Sequence, residues 1–380
     1  RELGIPCVVG TKNATVSLKN KKLVTVDCSS GDVGKIYEGK VPYEILEHRL
    51  DKIPKTRTKI MVNIGSPDDA FKNHYLPVEG VGLGRLEFII ASHIKIHPNS
   101  LLDYRKIKKT SGKSAALRKI IKEIESLTVG YKNKAQYYID ELAEGIAKIG
   151  AAFWPNEVII RFSDFKTNEY KTLVGGELYE PMEENPMLGW RGASRYYDPK
   201  FKDAFGLECV ALKKVRDVMG LKNVVPMVPF CRTPQEGREV VKIMEKHGLS
   251  RSKDRSLKVY VMCEIPSNVI LADKFLDIFD GMSIGSNDLT QLTLGLDRDS
   301  GTVSHIGNEN DPSVKKLISE VIEKCRKRRK YVSICGQAPS DYPKFAEFLV
   351  SKKIESISLN PDTVIKNITN ISRMEKTLGK

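Results

Sequence analysis

No apolar run in the 380 residues approaches the roughly 20 that a membrane-spanning helix needs, and no secretory leader is visible, so a cytoplasmic protein is expected. The seven cysteines, Cys7, Cys28, Cys209, Cys231, Cys263, Cys325 and Cys335, lie far apart with no CxxC pair. That argues against a zinc cluster or a disulfide framework, and most of them read as small buried apolar residues. The six histidines, His48, His74, His93, His97, His247 and His305, form no ligand cluster and no HExxH motif, and they read as surface or structural groups. No glycine-rich phosphate loop follows the first strand signal, which weighs against an open doubly wound sheet. Glutamine is scarce beside abundant lysine and glutamate, a faint sign of a hot growth environment.

What is present fits a globular chain with a sizeable core: 41% hydrophobic and 29% charged residues. The net charge is +14. Nucleic-acid binding is one reading of that excess. The lysines are scattered, however, and the one dense basic run, Arg326 to Lys330, closes an amphipathic helix where cations suit the dipole. A positive field that draws in a small polyanionic substrate is the preferred reading, with no nucleic acid and no membrane as partner.

The opening stretch, RELGIPCVVGTKNATVSLKNKKLVTVDCSSGDVGKIYEG, is a series of short β-rich runs and reads as the back end of a small β-containing domain. Residues 41–56 read as a linker. Then strands alternate with helices: Lys59 to Ile64, Gly80 to Leu83, Glu157 to Phe162, Val224 to Val228, and runs around Val259, Met282, Tyr331 and Ile357. Eight such strands predict an α/β chain, a (β/α)8 TIM barrel over 57–380 with a Lys-rich helical insertion at 101–150. Thr233-Pro234 is a helix start, an N-cap followed by Pro at the first helical position. Ser163 to Pro199, rich in Gly, Pro, Glu and Asn, carries no regular pattern and is placed as a long functional loop over the barrel mouth.

In parallel α/β architecture chemistry sits at the carboxyl ends of strands. Gly285-Ser286-Asn287-Asp288 ends one strand, and Glu264 ends the strand before it. Two such carboxylates suggest a hard-cation site, most simply Mg²⁺, although a strand-end Asp taken singly is as readily an N-cap. Arg85 and Arg161 end two other apolar runs, and Arg191 lies in the long loop. Guanidinium groups facing carboxylates and a metal suit phosphoryl transfer, where positioning and charge neutralisation do most of the work. Each arginine alone could equally be paired with a nearby acid. Cys335 ends a further strand beside Gly336, where a thiol can act as acid, base or nucleophile. Cys231 and Cys263 also lie near strand ends, and position alone does not separate the three.

Seven long motifs carry a family resemblance: EGVGLGRLEFI at 79–89, IIRFSDFKTNEYKTLVGG at 159–176, EPMEENPMLGWRGASRYY at 180–197, VVPMVPFCRTPQE at 224–236, CEIPSN at 263–268, SIGSNDLTQLTLGLDRDSG at 283–301 and ICGQAPSD at 334–341. Through nearly its whole length the chain resembles the phosphoenolpyruvate synthase family. The wider group includes pyruvate, phosphate dikinase and Enzyme I of the sugar phosphotransferase system, and the SDFKTNEY and EENPMLGWRGASRY stretches favour the synthases over both. The resemblance implies a barrel that binds pyruvate and phosphoenolpyruvate and dimerises. It implies a swivelling domain whose ATP-phosphorylated histidine delivers the phosphoryl group, the overall reaction being ATP, pyruvate and water to AMP, phosphoenolpyruvate and phosphate, in gluconeogenesis. On these positions, Glu264 and Asp288 would hold Mg²⁺, and Arg85, Arg161 and Arg191 would grip the phosphoryl group and the developing enolate. Gly285, Ser286 and Asn287 would line the same anionic ligand, Arg298 would support it, and Cys335 would move the proton at the methyl carbon. By the same resemblance, residues 1–40 would be a remnant of the phosphohistidine domain, with its histidine and the ATP-grasp domain expected upstream of Arg1. A pyruvate-binding or dimerisation module without turnover is the alternative, which the full set of Arg, Glu, Asp and Cys residues disfavours.

Overall fold

Eight parallel strands close into a barrel because each of them is largely buried on both faces. They are β3 (Lys59–Ile64), β4 (Gly80–Arg85), β5 (Glu157–Arg161), β6 (Val224–Val228), β7 (Tyr260–Cys263), β8 (Gly281–Ile284), β9 (Tyr331–Ile334) and β10 (Ser356–Leu359), and β10 pairs back onto β3. The structure is a computed structural model and describes residues 5–11, 13–18, 23–29, 34–44, 47 and 49–379. His48 lies outside the described residues. Ahead of the barrel, β1 (Val24–Asp27) and β2 (Lys35–Glu38) form an antiparallel pair, in keeping with the β-rich reading of the opening stretch.

The period of two along each strand divides the core into two compartments. Val62, Val81, Val158, Val261, Met282, Ile284, Val332, Ile334, Ile357 and Leu359 face outward into the apolar layer beneath the helices. Met61, Leu83, Ile159, Val225, Met227, Tyr260, Met262 and Cys335 face the lumen. Arg161 shares the inward parity of Ile159 one step nearer the carboxyl end, and Cys335 that of Tyr331 two steps nearer, so they crown the lumen. Gly82 is needed where the lumen is tight: a Cβ there would meet Ser358 at 2.5 Å.

The helices cover the outside with one apolar stripe each. Pro67–Asn73 starts on Ser66, whose side chain accepts from the Asp69 amide, and Pro234–Lys246 starts on Thr233, which accepts from Glu236. Within the Lys-rich stretch Ala115–Leu127 buries Ile121 and Ile124, while Lys134–Ala152 buries nine residues and packs on Lys202–Asp217 as part of the outer ring. The basic run after Pro312–Lys327 is largely paired: Lys327 with Glu323, Arg328 with Asp277 at 2.7 Å, and Lys330 with Asp280 at 3.8 Å. Among the described residues no helix is long and apolar enough to cross a membrane.

The segment Ser163 to Pro199 departs from its patternless sequence. It holds two single-turn helices, Thr167–Tyr170 and Ala193–Tyr196, and a 3-10 turn, Gly176–Leu178. Its order comes from a fully buried cage. Arg195 is bidentate to Glu180 at 2.6 and 2.8 Å, and its guanidinium lies over Trp190, Tyr170 and Phe201 at 3.9, 4.6 and 4.9 Å. His97 closes the cage against Glu180 at 3.0 Å and has its pKa held down by burial, a structural histidine. Sequence periodicity could not report this, because the order is tertiary.

The ring helix Lys134–Ala152 gives the stability prediction. Ile146→Ala, at a fully buried position, should lower the unfolding free energy by about 2–5 kcal/mol in urea titration, whereas Glu144→Ala on the exposed face should change it by less than about 0.5 kcal/mol. Equal effects would contradict the packing described.

Candidate active site

The rim at the carboxyl ends of the strands gathers charges that are hundreds of residues apart in sequence. From β5 comes Arg161, whose Nη2 donates to Glu87 Oε1 at 2.7 Å, with Nη1 3.8 Å from Asp164 Oδ2. Asp164 follows three residues later, and its amide donates to the same Glu87 oxygen at 2.6 Å. From the long loop comes Arg191, bidentate to Asp164 at 3.0 and 2.6 Å, with Nη2 3.7 Å from Asp288 Oδ2. Arg298, on the segment after the helix Ser286–Leu294, stands 3.8 Å from Asp288 Oδ1. The two arginine readings are therefore both present: Arg161 and Arg191 are each held by an acid, and both face the shared cup.

Glu264 sits at the bottom of the cup. Its Oε1 accepts the Phe230 amide at 2.6 Å, and a Cβ on Gly285 would meet its Oε2 at 2.7 Å, which is why glycine stands there. Phe230 reaches this geometry with φ +41°, a left-handed conformation that a phenylalanine rarely adopts. Its ring also lies under the Arg191 guanidinium at 4.1 Å. Burial, with Asp288 and Asp164 close by, pushes the Glu264 carboxyl up to about 8. Burial opposes the charge on Asp164, but Arg191 and Arg161 hold its carboxyl below the usual range. Burial likewise opposes the charges of Arg161 and Arg191, and the surrounding carboxylates raise both pKa values despite it.

Three polar valences remain open in this buried lattice. Asp288 Oδ1, Arg161 Nε and Glu87 Oε2 are all buried without a hydrogen-bond partner. Buried orphans of this kind call for a partner.

Cys335 caps β9 on the lumen side. Its sulfur accepts from Ser283 Oγ at 3.4 Å, and burial pushes the thiol up to about 11 despite the opposing pull of Arg161 and Arg85. The strand parity that separates it from its rivals is visible in the core: Cys231 and Cys263 belong to the outer apolar layer, Cys335 to the lumen. Arg85 ends β4 in register with Arg161, its guanidinium 4.5 Å from the Phe88 ring centre. Asn287 accepts the Gln337 amide at 3.3 Å, and Ser286 donates to Glu309.

Sequence reasoning did not single out Asp164, Glu87, Phe230, Glu309 or Glu208. Glu208, on the helix Lys202–Asp217, accepts from the Ser163 amide at 3.1 Å and from its hydroxyl at 2.5 Å, while Tyr196 donates to the Ser163 carbonyl at 2.6 Å. Ser163 precedes Asp164, so this buried carboxyl fixes the residue beside the rim. A strand end followed by Ser-Asp was the available signal.

The family models and the curated relatives agree on one family. Residues 45–376 match the family described as PEP-utilising enzyme, PEP-binding domain, and residues 1–31 match PEP-utilising enzyme, mobile domain. The phosphoenolpyruvate synthase of Aquifex aeolicus (strain VF5) is 53% identical over 416 residues, covering 100% of this chain and 48% of that protein. That of Synechocystis sp. (strain ATCC 27184 / PCC 6803 / Kazusa) is 54% identical over 379 residues, 100% of this chain and 45% of the relative. That of Escherichia coli (strain K12) is 48% identical over 376 residues, 99% and 46% respectively. The chain thus spans about half the length of the curated relatives it matches.

The buried Glu208 carries a pH prediction. Burial raises its carboxyl from 4.5 to about 7, so between those values the folded chain keeps a proton that the unfolded chain has lost. The contribution is full below the unfolded value and fades as pH rises through about 7. Glu208→Gln, which cannot ionise, should lose less stability than the parent between about pH 5 and about pH 8, by on the order of 2–3 kcal/mol in urea titrations. Parallel losses in the two proteins would remove this role.

Proposed function

This chain belongs to the PEP-utilising enzymes, and we propose that its barrel is the phosphoenolpyruvate/pyruvate half of a phosphoenolpyruvate synthase. In the full reaction ATP, pyruvate and water become AMP, phosphoenolpyruvate and phosphate, and the step served here is phosphoryl transfer from a phosphohistidine to pyruvate. The observation that carries the reading is the joining of Arg161, Arg191, Glu264 and Asp288 in one buried rim through Asp164.

A divalent cation fits this donor set. Glu264 and Asp288 offer hard carboxylate oxygens, and Asp288 Oδ1 is buried without a hydrogen-bond partner. Among the described residues no group of three or more His, Cys, Asp or Glu forms a ready-made cage. Glu264 and Asp288 would therefore hold Mg²⁺ with the substrate and water completing its shell, and the ion would supply Lewis-acid stabilisation of the enolate oxygen. The chain's own groups do the rest. Arg85, Arg161 and Arg191 bind the anionic groups of substrate and phosphoryl donor, the charges of Arg161 and Arg191 being secured by fixed carboxylates rather than by water. Arg298 approaches from the outer edge, and Asn287 keeps the turn at Gln337 in place. Cys335 exchanges the proton at the methyl carbon: the C–H pair stays on the substrate as enolate, and the proton goes to sulfur.

The remaining parts follow from the same reading. The ATP-binding and phosphohistidine domains belong to the full-length enzyme, residues 1–40 are the end of the phosphohistidine domain, and two copies associate through the barrel in the cytoplasm.

Isothermal calorimetry tests the reading. Oxalate and phosphoenolpyruvate should bind this chain only with Mg²⁺ present. Asp288→Asn should weaken that binding by at least the roughly 10–100-fold typical of losing even an outer partner of a metal ligand. Cys335→Ala should bind as the parent does. A folded sample with no Mg²⁺-dependent heat would count decisively against the proposal.

A further inference from the structure

The lumen of a barrel of this kind is ordinarily filled by bulky apolar side chains. Met61, Ile159, Val225, Met227 and Met262 keep to that on β3 and β5 to β7. The sector formed by β8, β9 and β10 does not. Ser283, Ser333, Ser356 and Ser358 are all at most 1% exposed. Their neighbours Met282, Ile284, Val332, Ile334, Ile357 and Leu359 belong to the outer layer, so the serines face the lumen. Burying a hydroxyl without a partner costs about 1–3 kcal/mol, which packing alone does not repay.

Register turns three of these serines into a row. Ser283 stands opposite Ser333, and Ser333 opposite Ser356. One end of the row meets the rim: Ser283 Oγ donates to Cys335 Sγ at 3.4 Å. The other end meets Tyr331, whose hydroxyl lies 2.6 Å from Ser356 Oγ. Tyr331, stacked on Tyr260 with ring centres 4.6 Å apart, lines an open cavity of about 710 Å³ at the amino-terminal end of the barrel, among Lys59, Glu157 and Lys258. In the middle, Ser333 Oγ is buried with no hydrogen-bond partner. Ser333 Oγ bonds neither neighbour directly, but adjacent strands stand about 4.8 Å apart, within the span of two hydrogen bonds of about 2.8 Å through one water.

We propose that this row is a proton relay joining the Cys335 sulfur to solvent at the amino-terminal mouth, with waters bridging on either side of Ser333. The inference rests on the reading of Cys335 given above, and it supplies the resetting step which that reading leaves open. Substrate and phosphoryl donor occupy the carboxyl-terminal mouth, so the buried thiol needs a second exit. In the forward step the thiolate takes the methyl proton of pyruvate: the C–H bond breaks, its electron pair stays on the substrate, and the S–H bond forms. To reset, the S–H proton passes to Ser283 while Ser283 passes its own onward. Each hydroxyl or water accepts one proton and releases one. One proton leaves at Tyr331 per turnover, and the sulfur, a thiol at rest, is a thiolate only while the next methyl proton is taken.

Exchange of the pyruvate methyl protons with D2O, followed by proton NMR in the presence of Mg²⁺, tests this. The parent should exchange and Cys335→Ala should not. Ser333→Ala and Tyr331→Phe should each slow exchange by at least about tenfold, as expected for losing a proton-transfer partner, with Mg²⁺-dependent oxalate affinity held within about twofold. Ser333→Thr, which keeps the hydroxyl, should stay near the parent. Parental rates in Ser333→Ala and Tyr331→Phe overturn the relay and leave the role of Cys335 standing. A Ser333→Thr protein as slow as Ser333→Ala assigns the serine to packing and also overturns it. A parent that exchanges nothing removes the proposed role of Cys335, and the relay with it.

Discussion

The bidentate pair between Arg191 and Asp164 is the contact on which the barrel mouth depends. Both side chains are almost wholly withdrawn from water. Removing one partner of such a pair typically costs about 3–5 kcal/mol, because the other charge is left buried and alone. The pair also has neighbours that fix it from both sides. Asp164 is tied through its amide to Glu87, and Ser163 beside it is gripped by Glu208 and Tyr196. Arg191 is followed by Gly192, where a Cβ would run into Phe230 at 2.6 Å, and Phe230 in turn donates its amide to Glu264. One ion pair thus sets the positions of a guanidinium, a carboxylate and the floor of the cup together.

Such a lattice costs solvation, and it is incompletely satisfied. Open valences are not peculiar to the rim, since the Arg195–Glu180–His97 cage in the same segment also leaves Arg195 Nε without a hydrogen-bond partner. The rim leaves Glu87 Oε2, Arg161 Nε and Asp288 Oδ1 without hydrogen-bond partners, and burial beside Asp288 and Asp164 raises the Glu264 carboxyl. The cage and the rim share the segment Ser163 to Pro199. The cage makes the loop rigid, and rigidity lets Arg191 be preorganised, which is where electrostatic stabilisation draws its strength.

The strands were legible because a parallel strand buried on both faces leaves an apolar run that little else imitates, as in KIMVNI, EVIIR and VVPMV. Strand ends then located Arg85, Arg161, Glu264, Asp288 and Cys335. What stayed hidden was set by partners distant in sequence. Asp164 and Glu87 are ordinary acids until Arg191 and Arg161 meet them. The two helical turns in the long segment depend on aromatic rings closing over Arg195. Ser283, Ser333 and Ser356 looked like unremarkable polar residues within short strands, since only the register aligns them.

The central claim is that one ion-binding cup is shared by Glu264, Asp288 and an anionic substrate. Electron paramagnetic resonance with Mn²⁺ as the probe measures it directly. The account predicts one tightly held Mn²⁺ per chain, with a spectrum that changes when oxalate is added and broadens when the oxalate oxygens carry ¹⁷O, and with both signals lost in Asp288→Asn. Mn²⁺ that binds without responding to oxalate, or that responds equally in Asp288→Asn, would contradict it.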